Sequence, residues 1–318
     1  MIDTYIDRFA DRKFGIFNHF LFAEPGSDIP ETLPYEEENT KWNRQVDAYD
    51  PEKVAYALHK IGAGYYFITV MQGNRFMIAP NAAFDRICGT KPGEACSKRD
   101  LIADIIPALK KYDIDLCLYF TGDGPYKDAK CGPKMGLGQQ RGQVSMEFVT
   151  NWAAVLEEYA VRYGENIKAW WVDGCYGEVG RGTGLGYTQE LLEPYYNAIK
   201  KGNPNALTTF NNGVQREFYR WFNKEEYTSG EQNYFSHVPP SRFVDGAQTH
   251  LLIPLGLSVN GKEWGGWRQR GARISREQLK RYISYVNSVG GVVTIDIFID
   301  GEGNLDYEQV EMLSGLMD

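Results

Sequence analysis

Trp170-Trp171-Val172-Asp173-Gly174 reads as a short buried strand that ends in a carboxylate and a glycine. In a barrel of parallel strands, a carboxylate at the C-terminal end of a strand opens into the mouth where such folds carry their active sites. A second segment, Tyr227-Thr228-Ser229-Gly230-Glu231, closes in the same way. Two carboxylates on strand ends, set among aromatic side chains, form the arrangement that glycoside hydrolysis requires. Turn chemistry offers a plainer reading of the first, because Asp before Gly after a strand is a common turn pair.

Outward from these segments, short apolar runs alternate with amphipathic stretches. Residues 14–22 are apolar except for Asn18 and His19. Asp50-Pro51 predicts a helix start, with Asp as N-cap, Pro in the first turn, Val54, Leu58 and Ile61 on one face and Gly62 as the stop. Residues 65–71 predict a strand, and residues 114–121 the next. Between them, Ser97-x-x-Asp100 resembles a capping box ahead of an apolar helix that Pro107 would kink. Phe148, Trp152, Val155, Leu156, Tyr159 and Tyr163 fall at helical spacing and stop at Gly164. Strands follow over 168–172, 207–210, 228–231, 250–257 and 291–299, and helices over 188–201, after Ser275-x-x-Gln278 and over 307–316.

Eight strand–helix units fill the length with no linker left over. That predicts an α/β fold, one (β/α)8 TIM-like barrel forming a single catalytic domain over residues 1–318. Long loops over 23–49 and 122–143 fall on the strand C-terminal side, where such barrels carry function. The glycine-rich stretch 180–186 lacks the G-x-G-x-x-G spacing and reads as a flexible loop, not a phosphate cradle.

A net charge of -8 argues against nucleic acid as a partner, since phosphate binding needs basic clusters. Aromatic residues make up 14% of the chain, which suits carbohydrate binding because flat rings bury the apolar face of a sugar, although large cores use the same residues. The cysteines, Cys88, Cys96, Cys117, Cys131 and Cys175, are odd in number and match no zinc spacing, so a reducing compartment is expected. With only four histidines, neither a metal site nor a cofactor is expected. Met1-Ile2-Asp3-Thr4 lacks a basic n-region and an apolar h-region, which predicts a cytoplasmic protein; a chain trimmed of its signal, secreted or periplasmic, would look the same. No apolar run of about 18 residues is present, so no membrane partner is expected. The expected partner is an oligosaccharide or glycoconjugate substrate. Sequence does not give the oligomeric state.

An ordered series of motifs resembles the family 29 glycoside hydrolases, the α-L-fucosidases, over nearly the whole chain. Asp11-Arg12-Lys13-Phe14-Gly15-Ile16-Phe17-Asn18-His19-Phe20 resembles that family's opening strand with its histidine at the end. Lys98-Arg99-Asp100-Leu101-Ile102 and Leu118-Tyr119-Phe120 resemble the next markers. Arg162-Tyr163-Gly164 followed by Trp170-Trp171-Val172-Asp173-Gly174 resembles the stretch that holds the nucleophile, and Thr228-Ser229-Gly230-Glu231 the segment that supplies the acid/base in some members. Glu263-Trp264-Gly265-Gly266 and Gly290-Gly291-Val292-Val293-Thr294-Ile295-Asp296 resemble the last two strands. Where the family carries paired histidines after the second strand, this chain reads Met71-Gln72-Gly73-Asn74-Arg75-Phe76; where it often has Asn-Asp-Arg after the fifth, it reads Asn211-Asn212-Gly213; and where a Glu-Trp pair is expected, it reads Lys41-Trp42. The catalytic pair is retained and the sugar-reading shell is altered.

The resemblance implies a retaining exo-α-glycosidase acting on a terminal α-linked deoxy sugar, with Asp173 as nucleophile and Glu231 as acid/base. Glu231 would then need a pKa raised by burial or by the Asp173 charge. Glu178, Glu217 and Asp123 are the nearby acids that could replace it. His19 and Tyr119 are candidate sugar contacts, although His19 could equally be a satisfied histidine inside the barrel. Trp171 and Trp42 could form a stacking wall or pack in the core. Gln72 and Asn74 can donate and accept where the family's histidines would sit. Arg75 suits either an acidic sugar or an internal ion pair, and Trp264 and Trp267 a position on the rim. The alternatives are a non-catalytic carbohydrate-binding barrel and a glycosidase of different sugar specificity.

Overall fold

The computed structural model describes residues 4–22, 35–138, 142–177, 184–214, 217–258 and 266–317. The strands among them are β1 (Phe14–Asn18), β2 (Tyr65–Thr69), β3 (Asp115–Thr121), β4 (Ile167–Asp173), β5 (Leu207–Phe210), β6 (Phe243–Val244), β7 (Ala247–Gln248), β8 (His250–Pro254) and β9 (Val292–Asp296). Seven of them make one curled sheet in the order β5-β4-β3-β2-β1-β9-β8, with every pairing parallel; β6 and β7 form a separate antiparallel hairpin.

Alternation along each strand sorts side chains onto two faces. Phe17, Tyr65, Phe67, Cys117, Tyr119, Ala169, Trp171, Leu207 and Leu252 share one cluster on the concave face. Ile16, Tyr66, Ile68, Leu116, Leu118, Trp170, Val172 and Phe210 belong to a larger cluster with the apolar faces of the surrounding helices. Register keeps the concave residues level, pairing Phe17 with Phe67, Tyr119 with Trp171 and Thr121 with Asp173. Gly15 belongs to this packing, because a Cβ there would lie 2.3 Å from the Tyr65 ring.

The helix Thr4–Arg12, which the sequence reading passed over, closes the end of the sheet away from Asp173. Its Phe9 packs on Tyr65, Tyr227 and His250, and its Arg8 and Arg12 both pair with Asp115 at the start of β3. The helix Pro51–Ile61 starts and stops as expected, with Asp50 capping the N–H groups of Glu52 and Lys53 and Gly62 left-handed at the end. Three expectations are corrected. Asp100, not Ser97, caps the helix Leu101–Lys110; the Ser97 hydroxyl bonds the Arg99 carbonyl instead. The stretches 23–49 and 122–143 are not all loop, since Tyr35–Ala48 and Cys131–Met135 are helical. The expected strand over 228–231 is not regular.

That last departure has a local cause. Tyr227 and Glu231 each bridge β8 singly, to Gln248 and Leu252, while Glu226 donates its N–H to the Thr208 carbonyl of β5. Between them Gly230 has φ +59, which interrupts a β ladder, and a Cβ there would lie 1.8 Å from the His250 carbonyl oxygen. Gly230 therefore has to be glycine for Glu231 to reach its place. Gly230→Ala should destabilise the protein by about 3 kcal/mol or more, combining backbone strain with overpacking. Denaturant unfolding checks this, and an unchanged midpoint would show that the turn relaxes freely.

Candidate active site

Asp173 is the last residue of β4, and Tyr119 lies two residues before the end of the neighbouring β3. The Tyr119 hydroxyl donates to Asp173 Oδ2 at 2.5 Å and accepts from Gln72 Nε2 at 2.8 Å. Asn211 directly follows β5, level with Asp173 on the adjacent strand. Its Nδ2 donates to Asp173 Oδ1 at 2.8 Å and to Glu231 Oε2 at 2.6 Å. The two carboxyl groups thus share one amide nitrogen. The bonded oxygens can lie no further apart than the two bond lengths laid end to end, about 5.4 Å.

Glu231 is carried by the irregular segment after Tyr227, which is tied down on two sides. His250 Nδ1 donates to the carbonyls of Thr228 and Ser229, and its Nε2 accepts from the Thr294 hydroxyl at 2.7 Å. Burial pushes the His250 pKa down to about 4, so the ring is neutral and this tautomer is the one its partners select. The Trp171 indole N–H donates to the Ser229 carbonyl at 3.0 Å. Burial, and after it the Asp173 charge, push the Glu231 carboxyl up to about 7, against the opposing Asn211 hydrogen bond. A carboxylic acid beside a carboxylate, with its proton held to neutral pH, is equipped to protonate a leaving group.

A cavity of about 270 Å³ opens over this pair, lined by His19, Gln72, Trp171, Trp267 and Arg268 among others. The His19 Nδ1–H donates to Asp296 Oδ1 at 2.8 Å, and Asp296 Oδ2 accepts the Arg268 N–H. The Trp267 ring meets His19 edge-on, and the Tyr119 and Trp171 rings stack at 5.4 Å.

The structure thus brings together Asp173, Glu231, His19, Gln72, Tyr119, Trp171 and the rim candidate Trp267, and adds Arg268. Trp42 does not join them: its indole is 1% exposed, packs on Phe20, Phe22 and Phe76 and donates to the Met77 carbonyl. Asn74 is half-buried and is not among the cavity's lining residues. Arg75 takes the internal role, paired with Glu38 and Asp128 and lying over the Tyr35 and Phe76 rings. Of the alternative acids, Glu217 is exposed and off the cavity, and Asp123 is buried behind Gly174. Trp264 and Glu178 lie outside the described residues. Sequence reasoning saw Asn211 only as a place where an arginine was missing. Its position one residue past a strand end, level with Asp173, was the signal available. Among the described residues no group of three His, Cys, Asp or Glu side chains could hold a metal ion, and no helix is long and apolar enough to cross a membrane.

The alpha-L-fucosidase family model matches residues 3–317, so the chain belongs to that glycoside hydrolase family. No curated protein matches it. Among solved structures, a GH29 α-L-fucosidase from Bacteroides thetaiotaomicron superposes with a TM-score of 0.70 at 17% identity, over 100% of this chain and 73% of its own. A trapped covalent intermediate of the enzyme from that organism, made with 2-fluoro-fucosyl fluoride, gives 0.70 at 17% identity over 100% and 74%. The α-L-fucosidase of Lactobacillus casei, in complex with α-L-fucose, gives 0.65 at 16% identity over 99% and 97%.

Two variants probe the site's construction. Tyr119→Phe keeps the stacked ring and removes one donor to a charged carboxylate, so kcat should fall about 10–100-fold with the fold intact; an unchanged kcat would show that the hydroxyl does not matter to Asp173. Glu231 has a folded pKa above its unfolded value of 4.5. The folded protein therefore binds the extra proton, and the stability this contributes is lost as pH rises toward and through about 7. Glu231→Gln removes the buried charge, so it should melt several degrees above the parent at pH 8 and close to it at pH 5. Equal gains at both pH values would contradict the raised pKa.

Proposed function

We propose that this chain is a retaining exo-α-L-fucosidase that releases a terminal α-linked L-fucose, or a closely related 6-deoxy sugar, from an oligosaccharide or glycoconjugate. The observation that carries the reading is the pair of carboxyl groups on one amide nitrogen. The oxygens bonded to that nitrogen lie no more than about 5.4 Å apart, which suits a close retaining pair and falls short of the about 6.5–9.5 Å that an inverting enzyme needs for its water.

The chemistry follows from the positions. An Asp173 oxygen attacks the anomeric carbon as the glycosidic C–O bond breaks, and Glu231 gives its proton to the departing oxygen. A glycosyl ester on Asp173 results. Glu231, now ionised, takes a proton from water, the water oxygen attacks the same carbon, and the ester bond breaks to free both Asp173 and the sugar. Tyr119 and Asn211 hold one oxygen of Asp173 each, which fixes the attack angle.

A cavity of about 270 Å³ suits a single sugar ring, just below the usual range of about 300–1,000 Å³ for ligand pockets. Its walls include Phe17, Trp171, Leu252 and Trp267, apolar surfaces that favour a methyl group over a hydroxymethyl. His19, whose Nδ1 is taken by Asp296, would read a sugar hydroxyl through Nε2, and Gln72 would read another. In this reading the seven-stranded sheet and the segment 226–232 act together as a (β/α)8 barrel forming one catalytic domain. A barrel that merely binds sugar has no use for a carboxyl held protonated up to about 7 beside a carboxylate.

Asp173→Ala should abolish release of nitrophenol from an aryl α-L-fucoside while circular dichroism stays native. The kcat/KM of the parent enzyme should fall as pH rises above about 7, where Glu231 loses its proton. A mutant that keeps most of its activity would remove Asp173 from the mechanism.

A further inference from the structure

The geometry points to Asn211 as the positioning residue of this active site: one side-chain amide holds the nucleophile and the acid/base at working distance and keeps their two carboxyl groups from sharing a proton directly. The inference rests on the fucosidase reading for its kinetic part only.

Asn211 is fully buried at the end of β5, and three backbone bonds fix its main chain and its side-chain orientation. Its N–H donates to the Val172 carbonyl at 2.7 Å, and its carbonyl accepts the Cys175 N–H at 3.0 Å, both on the chain flanking Asp173. Its side-chain oxygen accepts the Gly213 N–H at 3.1 Å. With the amide oxygen committed there, the amide nitrogen has to face the carboxyl groups. It has two hydrogens, and each has one acceptor, Asp173 Oδ1 and Glu231 Oε2.

An amide nitrogen donates and cannot accept or release a proton at working pH. Placed between two carboxyl groups, it stabilises the ionised form of whichever is charged and does not compete for the mobile proton. An aspartate in the same place would reverse this, facing two carboxyl groups with a third. Among the described residues the charged and titratable groups around the pair include His19 just after β1, Tyr119 from β3, Asp123 from the loop after β3, Cys175 and Tyr176 from the loop after β4, and Arg268 from the loop after β8. Tyr119 bonds Asp173, and Asn211 bonds both carboxyl groups.

The test compares Asn211→Ala and the isosteric Asn211→Asp with the parent. The first readout needs no substrate: the titration of Glu231, followed by carboxyl ¹³C NMR on protein labelled at glutamate, with Glu231→Gln assigning the signal. Loss of the donor should move the Glu231 titration to higher pH by about one unit in Asn211→Ala, and further in Asn211→Asp. The second readout is kinetic. On an aryl α-L-fucoside, kcat should fall about 10–100-fold with KM little changed, and the alkaline limb of kcat/KM should move up with the NMR titration. If Asn211→Ala fails to fold, Asn211→Asp carries both readouts, since it retains the bond to Gly213. A Glu231 titration that stays in place in the folded variants overturns the inference, whatever the activity. A displaced titration in a protein whose parent form hydrolyses no fucoside upholds the positioning role and overturns the fucosidase reading instead.

Discussion

Two carboxyl groups half-buried at the C-terminal edge of a curled parallel sheet repel each other when both are charged, and the site is built around limiting that repulsion. Burial raises the pKa of Glu231 and the Asp173 charge raises it further, to about 7, so this carboxyl holds a proton well above the usual carboxylate range. The asymmetry is positional. Asp173 has the Tyr119 hydroxyl and the Asn211 amide as donors, one on each oxygen, and Glu231 accepts from Asn211. In the proposed mechanism the carboxyl with two donors, Asp173, is the nucleophile and Glu231 is the acid.

The scaffold is shaped by where those donors have to stand. Parallel register sets Asp173 level with Thr121 and carries Tyr119 one inward step below it. The same register on the other side delivers Asn211 beside Asp173. Glu231 cannot arrive by regular register, because the sheet has no regular strand between β5 and β8 among the described residues. It arrives on a segment bent at Gly230 and pinned through His250 and Trp171. The stacked pair Tyr119 and Trp171 lines the cavity, so rings that pack the concave face of the sheet also form part of the cavity wall.

Much of this was legible in the sequence. Short apolar runs, buried on both faces, located β1 to β5, β8 and β9, and strand-end carboxylates located Asp173 and Glu231. Local rules misled where tertiary contacts decided. A run ending in Glu231 scans as a strand, but the left-handed turn at Gly230 depends on the approach of His250, which lies 20 residues away. Trp42 and Asn74 were plausible sugar contacts by family position, yet helix packing buries Trp42 among phenylalanines and Asn74 is not among the cavity's lining residues. Arg268, with φ +60 and its N–H on Asp296, gave no signal at all, because nothing in a single Arg predicts a strained backbone at a cavity wall. Asn211 was visible as a residue but not as a bridge, since bridging depends on the register of two strands at once.

The claim that everything else depends on is that Asp173 and Glu231 work as a retaining pair. The most direct measurement is the anomeric form of the sugar released in the first seconds of hydrolysis of an aryl α-L-fucoside, followed by proton NMR before mutarotation equilibrates the product. Two displacements at one carbon predict that α-L-fucose appears first and the β anomer grows in later. Initial release of β-L-fucose would mean a single displacement by water, and would contradict the role of Asp173 as a covalent nucleophile.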